Sequence, residues 1–340
     1  MYVVFDDRQL DHHPQAQFYA GLARRAPEVP ARAVTLLQAS LESGLRRVEA
    51  DDYGWAPIEE IHDPGYIGFL KDASEDWAQV KGSGPEVFPH VHPVRYQRAM
   101  PGDVQGKAGY YMNTTNCPIG PNTLSSAYSS AQAAVKGAKL LLDKEPLVYS
   151  LCRPPGHHAH KDMASAFCFF NNVAIAAHEL SKVLGKVAVI DIDVHHGNGT
   201  QEIFYDRDDV FCGSVHADPT DFYPFYQGFE KERGEGAGEG WNVNIPLPNG
   251  AGNEQVSAAT QALVNHALEL ECRAIVVALG FDTYAEDPLG RFNVTTEGFS
   301  NIAKEIQSSG LPILLIQEGG YDGPNLGANL KSFLNPLLHR

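Results

Sequence analysis

Short apolar runs alternate with longer segments of helical period along this 340-residue chain. Runs rich in β-branched residues predict buried strands at the amino terminus and at 147–152, 186–192, 210–216, 273–279 and 311–317. Apolar positions with helical spacing predict helices at 31–44, 58–70 (broken at Pro64-Gly65), 125–142, 171–184, 254–269, 296–308 and 325–337. Strands that alternate with helices predict an α/β fold, with a parallel sheet covered by helices on both faces. Because no linker or repeat divides the chain, we expect one domain over residues 1–340.

Two segments lack a clean period. Residues 8–30 are polar and predict a surface loop. Glycines and prolines interrupt residues 74–111 repeatedly, yet this segment carries five aromatic residues: Trp77, Phe88, Tyr96, Tyr110 and Tyr111. Because long irregular insertions in compact domains are usually functional, we expect 74–111 to be a lid or a subunit contact.

Charge and composition narrow the classes of partner. The chain has 42 Asp and Glu against 26 Lys and Arg, a net charge of −16, which disfavours nucleic acid and favours small cations or basic peptides. No apolar run approaches the roughly 20 residues that span a bilayer, so no membrane partner is expected. The amino terminus does not resemble a secretory signal. Five scattered cysteines argue against a disulfide framework or a cysteine-ligated zinc site, and together these features predict a cytoplasmic protein.

The densest group of chemically active residues follows the predicted strand 186–192. Asp191, Asp193 and His195 alternate along the strand end and therefore project from the same side. Two carboxylates and an imidazole are costly to bury together unless they share a cation. No basic residue lies between Lys186 and Arg207 to form salt bridges instead, and the pattern therefore predicts a divalent metal site.

Three further motifs follow predicted strands. His157 and His158 lie beyond a Pro-Pro-Gly turn and suit acid–base chemistry, because imidazole titrates near neutral pH. Asp282 follows Gly280 and is either a third metal ligand or a helix cap. Tyr321 follows two glycines and either faces the site or belongs to the core.

The order of these motifs identifies a resemblance. The matching elements are Arg-Pro-Pro-Gly-His-His at 153–158, Asp-x-Asp-x-His-His-Gly at 191–197, Gly-x-Asp-Thr at 280–283 and Gly-Gly-Tyr at 319–321. The chain resembles the arginase–deacetylase superfamily, in particular the zinc-dependent histone deacetylases and bacterial acetylpolyamine amidohydrolases. Residues 216–219 and 223–228 look closest to the acetylpolyamine branch. The resemblance implies a single-domain, mainly parallel sheet of about eight strands.

The resemblance implies three metal ions. The zinc ligands would be Asp193, His195 and Asp282, with ferrous iron as the alternative ion. A potassium ion beside the zinc would be held by side chains or carbonyls of Asp191, Asp193, His195, Ser214 and Val215. A second, outer potassium ion would use Phe204, Arg207, Val210 and Trp241.

Catalytic roles also follow from the resemblance. His158 would be the general base and His157 its electrostatic or acid partner, oriented by Asp191. Tyr321 would donate a hydrogen bond to the developing oxyanion. Many relatives have an aspartate after the His-His-Gly motif, whereas this chain has Asn198, which can orient His158 but raises its basicity less.

The substrate would lie among five further residues. Phe167 and Tyr226 match aromatic walls that enclose a linear amine chain, and the Ala166 carbonyl would accept the substrate N–H. Gly320 would allow close approach of the backbone. Asn116 stands where relatives carry a carboxylate that binds either the backbone or the distal ammonium of the substrate.

The expected reaction is hydrolysis of the acetyl amide of N-acetylated polyamines or other small cationic acetylated amines. The alternative is deacetylation of acetyl-lysine in a protein or peptide. We expect the insertion at 74–111 to form a homodimer contact and to narrow the tunnel, which disfavours a folded protein substrate. Gly197 and Tyr284 replace the extra carboxylates of a dinuclear arginase-type site. The complete set of catalytic residues disfavours a non-enzymatic binding protein.

Overall fold

The computed structural model describes residues 1–92, 97–321, 323 and 325–339. Its strands are β1 (Tyr2–Val4), β2 (Ala16–Tyr19), β3 (Leu22–Arg25), β4 (Arg46–Val48), β5 (Leu147–Ser150), β6 (Val187–Asp191), β7 (Val210–Ala217), β8 (Asn242–Leu247), β9 (Ile275–Leu279) and β10 (Ile313–Gln317). Its α-helices are α1 (Pro30–Glu42), α2 (Ala56–Glu59), α3 (Pro64–Ala78), α4 (Val104–Tyr111), α5 (Thr123–Leu142), α6 (Asn172–Leu184), α7 (Asn198–Phe204), α8 (Asn253–Glu269), α9 (Thr296–Gln307) and α10 (Leu326–Leu338).

Eight of the strands form a single sheet in the order β4-β1-β5-β10-β9-β6-β7-β8. Every neighbouring pair is parallel. Strand residues alternate between two cores: Val148 packs with α3, α4, α5 and α6, whereas Leu147 and Tyr149 face α1, α8, α9 and α10. The predicted parallel α/β sheet with helices on both faces is therefore confirmed.

The structure corrects the predictions for the two irregular segments. The polar loop predicted at 8–30 contains the antiparallel hairpin β2–β3, which the sequence pattern missed because β3 is exposed along its whole length. Helix α3 continues to Ala78, and α4 occupies the end of the segment predicted as irregular. Pro64 starts α3 rather than breaking it, because the Asp63 carboxylate caps the first turn. Tyr96 lies outside the described residues.

Two strands and one helix were also missed. Strands β4 and β8 form the two edges of the sheet, where charged and amide residues interrupt the apolar pattern. Helix α7 follows the His-His-Gly motif and has only 7 residues. Across the described part of the chain, no helix has the length and apolarity needed to cross a membrane.

Helix α5 packs closely on the sheet at Gly137. A Cβ at this position would lie 2.2 Å from the Ser150 Oγ and 2.7 Å from a methyl group of Leu314. Gly137→Ala should therefore lower the free energy of unfolding by about 1–3 kcal/mol, although alanine favours a helix. Gly68→Ala in α3 is the control, because its Cβ would meet no atom within 4 Å and should be neutral or stabilising. Urea denaturation measures the free energy of unfolding of each variant. Equal stability of the two variants would contradict the close packing at Gly137.

Candidate active site

The candidate site lies where the carboxyl ends of four neighbouring strands meet. Strands β5, β10, β9 and β6 are adjacent and parallel, so the loops that follow them converge at one edge of the sheet. These loops carry His157, Asp193, Asp282 and Tyr321. Motifs as much as 164 positions apart in sequence (157 to 321) are thus brought together by the strand order.

Asp193, His195 and Asp282 form a compact group whose potential ligand atoms all lie within 4.8 Å of one another. The His195 Nδ1 is 3.1 Å from the Asp193 Oδ1 and 3.0 Å from the Asp282 Oδ2. Both carboxylates are fully buried. Burial, together with the negative charge of Asp193, raises the pKa of Asp282 to about 7. The pair is thus electrostatically unfavourable without a positive charge between its members.

Backbone groups fix the carboxylates of this group. The Val194 N–H donates to the Asp282 Oδ1 at 2.9 Å, and the Gly319 N–H donates to the Asp193 Oδ2 at 2.8 Å. A Cβ at Gly319 would lie 2.3 Å from the Asp282 Oδ2 and 2.4 Å from the Asp193 Oδ2. Two oriented carboxylates and an imidazole fit a divalent metal ion, and three protein ligands leave a position open.

The two histidines beside this group have different partners. The His157 Nδ1 lies 3.0 Å from the Asp191 Oδ2, and the His158 Nδ1 lies 2.8 Å from the Asn198 Oδ1. Burial opposes a charge on His157, but Asp191 and Asp193 raise its pKa to about 10. Burial and the neighbouring histidines lower the pKa of His158 well below its usual value. The neighbouring carboxylates therefore favour a charged His157, and burial beside other histidines favours a neutral His158.

Tyr321 is buried beside the group of Asp193, His195 and Asp282. Its N–H donates to the Asp287 Oδ2 at 2.7 Å, and its ring lies 5.5 Å from the Phe167 ring between centroids. The Arg32 guanidinium lies 4.6 Å from the centre of the Tyr321 ring. Gly320 adopts a φ of +111°, a conformation that favours glycine and turns the chain towards the site.

The predicted substrate walls differ in exposure. Phe167 is buried, whereas Tyr226 is 52% exposed, and the hydroxyl of Tyr226 accepts a hydrogen bond from Asn113. The Phe167 N–H donates to the Asn116 carbonyl at 3.2 Å. Asn116 and Ala166 therefore both lie next to Phe167.

The chain is similar to known proteins over almost its whole length. The profile of the histone deacetylase domain matches residues 26–337. Acetylpolyamine amidohydrolase from Burkholderia pseudomallei is 43% identical over 98% of this chain and 97% of that protein. The protein of the same name from Mycoplana ramosa is 37% identical over 98% of both chains. A crystal structure of the acetylpolyamine aminohydrolase from B. pseudomallei superposes with a TM-score of 0.96 at 41% identity and covers 98% of both chains.

The chain belongs to the histone deacetylase family. The resemblance and the fold predicted from the sequence are thereby confirmed. The structure brings together the predicted metal ligands, the two histidines predicted to be catalytic, Asp191 and Tyr321.

The residues predicted to bind potassium fall in two places. Asp191 and Ser214 are paired across β6 and β7, and both line a small buried cavity next to the histidine motif. Val215 follows Ser214 in β7. In the second set, Phe204 ends α7 and its carbonyl already accepts the N–H of Arg207 at 3.1 Å. Val210 begins β7, and the Trp241 carbonyl accepts the Cys212 N–H at 2.8 Å.

Sequence reasoning missed aromatic residues that contact the site histidines. Phe222 stacks on His195 with 4.8 Å between ring centroids, and the edge-to-face contact of Tyr223 with His158 spans 4.9 Å. The Tyr223 hydroxyl is 2.6 Å from the Ser165 Oγ. Within the motif at 223–228, the resemblance predicts a wall role for Tyr226 alone.

A buried ionic cluster beneath Tyr321 was also missed. Arg32 contacts the Glu28 carboxylate at 2.8 Å and donates to the carbonyls of Glu318 and Gly320. Arg153 contacts the same Glu28 carboxylate at 2.9 Å. The one sequence signal was the position of Arg32, which shares the buried face of α1 with Leu36 and thus places a charge among apolar residues.

Proposed function

We propose that this chain hydrolyses the acetyl amide of N-acetylated polyamines or other small acetylated amines, releasing acetate and the free amine. The observation that carries the proposal is the buried group Asp193, His195 and Asp282, flanked by His157 and His158, in a chain with full-length relatives named acetylpolyamine amidohydrolase. The predicted enzyme class is confirmed by those relatives and by the family.

Zinc is the metal that we assign to this group, with ferrous iron as the second candidate. When bound, such an ion polarises the amide carbonyl and brings the pKa of a water from 15.7 to about 7. The protein supplies one imidazole and two carboxylates, a donor set that suits zinc and keeps one position open.

The histidines then divide the proton transfers. Neutral His158 accepts a proton at its Nε2 from the attacking water, because its Nδ1 is engaged by Asn198. His157, kept charged by Asp191, stabilises the negative charge that develops on the carbonyl oxygen of the amide. A protonated imidazole finally delivers a proton to the nitrogen of the leaving amine, which otherwise leaves slowly.

Tyr321 acts on the amide, whereas the aromatic walls hold the rest of the substrate. The Tyr321 hydroxyl donates to the developing oxyanion, and the high pKa produced by burial keeps that proton in place. Phe167 and Tyr226 enclose the apolar chain of the substrate, and the Ala166 carbonyl accepts its N–H. Gly320 gives the substrate room near the backbone.

Potassium ions are part of the same proposal. The Asp191 carboxylate and the Ser214 hydroxyl, on paired strands, supply oxygen ligands for the inner ion, together with carbonyls at Asp193, His195 and Val215. Carbonyls at 204, 207 and 210, with Trp241, are assigned to the outer ion. Oxygen ligands suit a hard monovalent cation, and the inner ion would also reduce the repulsion between the buried carboxylates.

We further propose that the chain is a single catalytic domain that forms a homodimer through the 74–111 insertion. Hairpin β2–β3 contacts this insertion, since the rings of Phe18 and Phe88 lie 5.2 Å apart and the Gln15 N–H donates to Glu86 at 3.0 Å. Phe18, Tyr19 and Leu22 are large apolar residues on the exposed surface of the hairpin. A second copy of the chain would cover this apolar surface and narrow the tunnel.

A substrate panel tests the proposed reaction. Acetylputrescine, acetylcadaverine and acetylspermidine should give values of kcat/KM at least about 10-fold above that of an acetyl-lysine peptide, because a narrow tunnel favours a slender chain. A higher kcat/KM for the peptide would instead favour the alternative function, deacetylation of acetyl-lysine in a protein or peptide. If the metal-loaded enzyme hydrolysed none of the four compounds, both functions would be contradicted.

Tyr321→Phe tests the oxyanion role. The kcat should fall about 100- to 1,000-fold while the metal content stays unchanged, because only the hydroxyl donor is lost. Tyr66→Phe is the matched control: this buried tyrosine donates its hydroxyl to the Phe169 carbonyl, outside the catalytic residues, and its loss should affect stability alone. An unchanged kcat in Tyr321→Phe would remove the role assigned to Tyr321.

Charged substitutions on the hairpin β2–β3 test the proposed homodimer. Sedimentation of the wild type should show a dimer, and the double variant Phe18→Asp, Leu22→Asp should be monomeric because it buries two charges in the interface. Val183→Asp, at an exposed position in α6, should remain dimeric. A monomeric wild type, or a double variant that stays dimeric, would show that this surface is not the contact.

A further inference from the structure

Glu318 is a fully buried carboxylate that the proposed mechanism does not use. It follows β10 and precedes the Gly-Gly-Tyr motif, but its side chain reaches the loop after β5. Its Oε2 accepts the N–H groups of Gly156 and His157 at 2.7 Å and 3.1 Å. Its Oε1 has no hydrogen-bond partner among the residues that the structure describes.

Such a carboxylate is costly to bury. Burial raises the pKa of Glu318 to about 7, although the charge on His157 opposes this effect. An apolar side chain of the same length would avoid the desolvation of the carboxylate but would leave two backbone N–H groups buried without acceptors. The contacts of the Oε2 therefore matter more than the space that the side chain fills.

Hydrogen bonds also fix the backbone of Glu318. Its N–H donates to the Leu279 carbonyl at 2.9 Å, and its own carbonyl accepts from the Arg32 Nη2 at 2.7 Å. One residue thus joins the loop that carries Tyr321 to the loop that carries His157. The opposite side of His157 is held by Asp191, so two carboxylates fix this histidine, one at its backbone and one at its ring.

We infer that Glu318 is a positioning residue that fixes the His157–His158 pair relative to Tyr321. Each of these three side chains acts on the attacking water or on the reacting amide in the proposed reaction, on which this inference rests. A displacement of about 1 Å between such groups can lower the rate about 100-fold. The loop that carries Tyr321 is the tyrosine loop, and the loop that carries His157 is the histidine loop. Among the described residues, Glu318 is the side chain of the tyrosine loop that accepts hydrogen bonds from N–H groups of the histidine loop.

Two substitutions of similar length test the inference. Glu318→Met removes the acceptor, and its kcat for acetylputrescine should fall about 100-fold while KM changes less than about 2-fold. Glu318→Gln keeps an acceptor oxygen and should recover kcat to within about 10-fold of the wild type. In hydrogen exchange, the amides of Gly156 and His157 should exchange much faster in Glu318→Met than in Glu318→Gln. If Glu318→Met does not fold, Glu318→Leu takes its place.

A core variant separates positioning from stability. Leu330→Ala leaves a cavity in α10 and should lower the melting temperature while leaving kcat per metal-loaded enzyme and the exchange of both amides unchanged. If Glu318→Met behaved like Leu330→Ala, or if Glu318→Gln lost as much kcat as Glu318→Met, the inference would be overturned. A wild type that hydrolysed none of the acetylated amines would contradict the proposed function, and the amide exchange alone would then decide the role of Glu318.

Discussion

The repulsion between two buried carboxylates constrains this structure more than any other interaction. Asp193 and Asp282 are fully buried and share the His195 Nδ1 at 3.0–3.1 Å. A charge taken out of water is destabilising unless an opposite charge or several hydrogen bonds compensate it. Backbone N–H groups from Val194 and Gly319 supply part of the compensation. A divalent cation would supply the rest, and the neighbouring residues are arranged around the position it would occupy.

The sheet makes this arrangement possible because its strand order differs from the chain order. Strands β9 and β10 lie between β5 and β6, so the tyrosine loop comes next to the histidine loop. Glycines at the contacts then allow the loops to approach closely: a Cβ at Gly280 or Gly319 would lie within 2.4 Å of a carboxylate oxygen. Buried polar contacts made by Arg32 and Glu318 join these loops to one another and to α1.

The sequence predicted the central strands because each is a buried apolar run. It predicted a metal site at Asp191, Asp193 and His195 because these residues alternate at a strand end, whereas the ligand role of Asp282 was implied only by the resemblance. It failed at β4 and β8, where the sheet ends and charged or amide residues replace the apolar pattern. It also failed for Glu28 and Glu318, because their roles depend on contacts with residues more than 100 positions away, and no local period encodes such contacts. In the buried ionic cluster of Glu28, Arg32 and Arg153, only Arg32 had a local sequence signal, because it places a charge on the apolar face of α1.

The central claim is that Asp193, His195 and Asp282 bind one metal ion on which amide hydrolysis depends. Titration of zinc into chelator-treated protein, in competition with a colorimetric chelator, tests it directly and needs no substrate. We expect one tight site per chain and an affinity at least about 100-fold weaker in Asp282→Asn, which removes a charged ligand. Binding of zinc with equal affinity by the wild type and by Asp282→Asn, or undiminished hydrolysis by the metal-free protein, would contradict the claim.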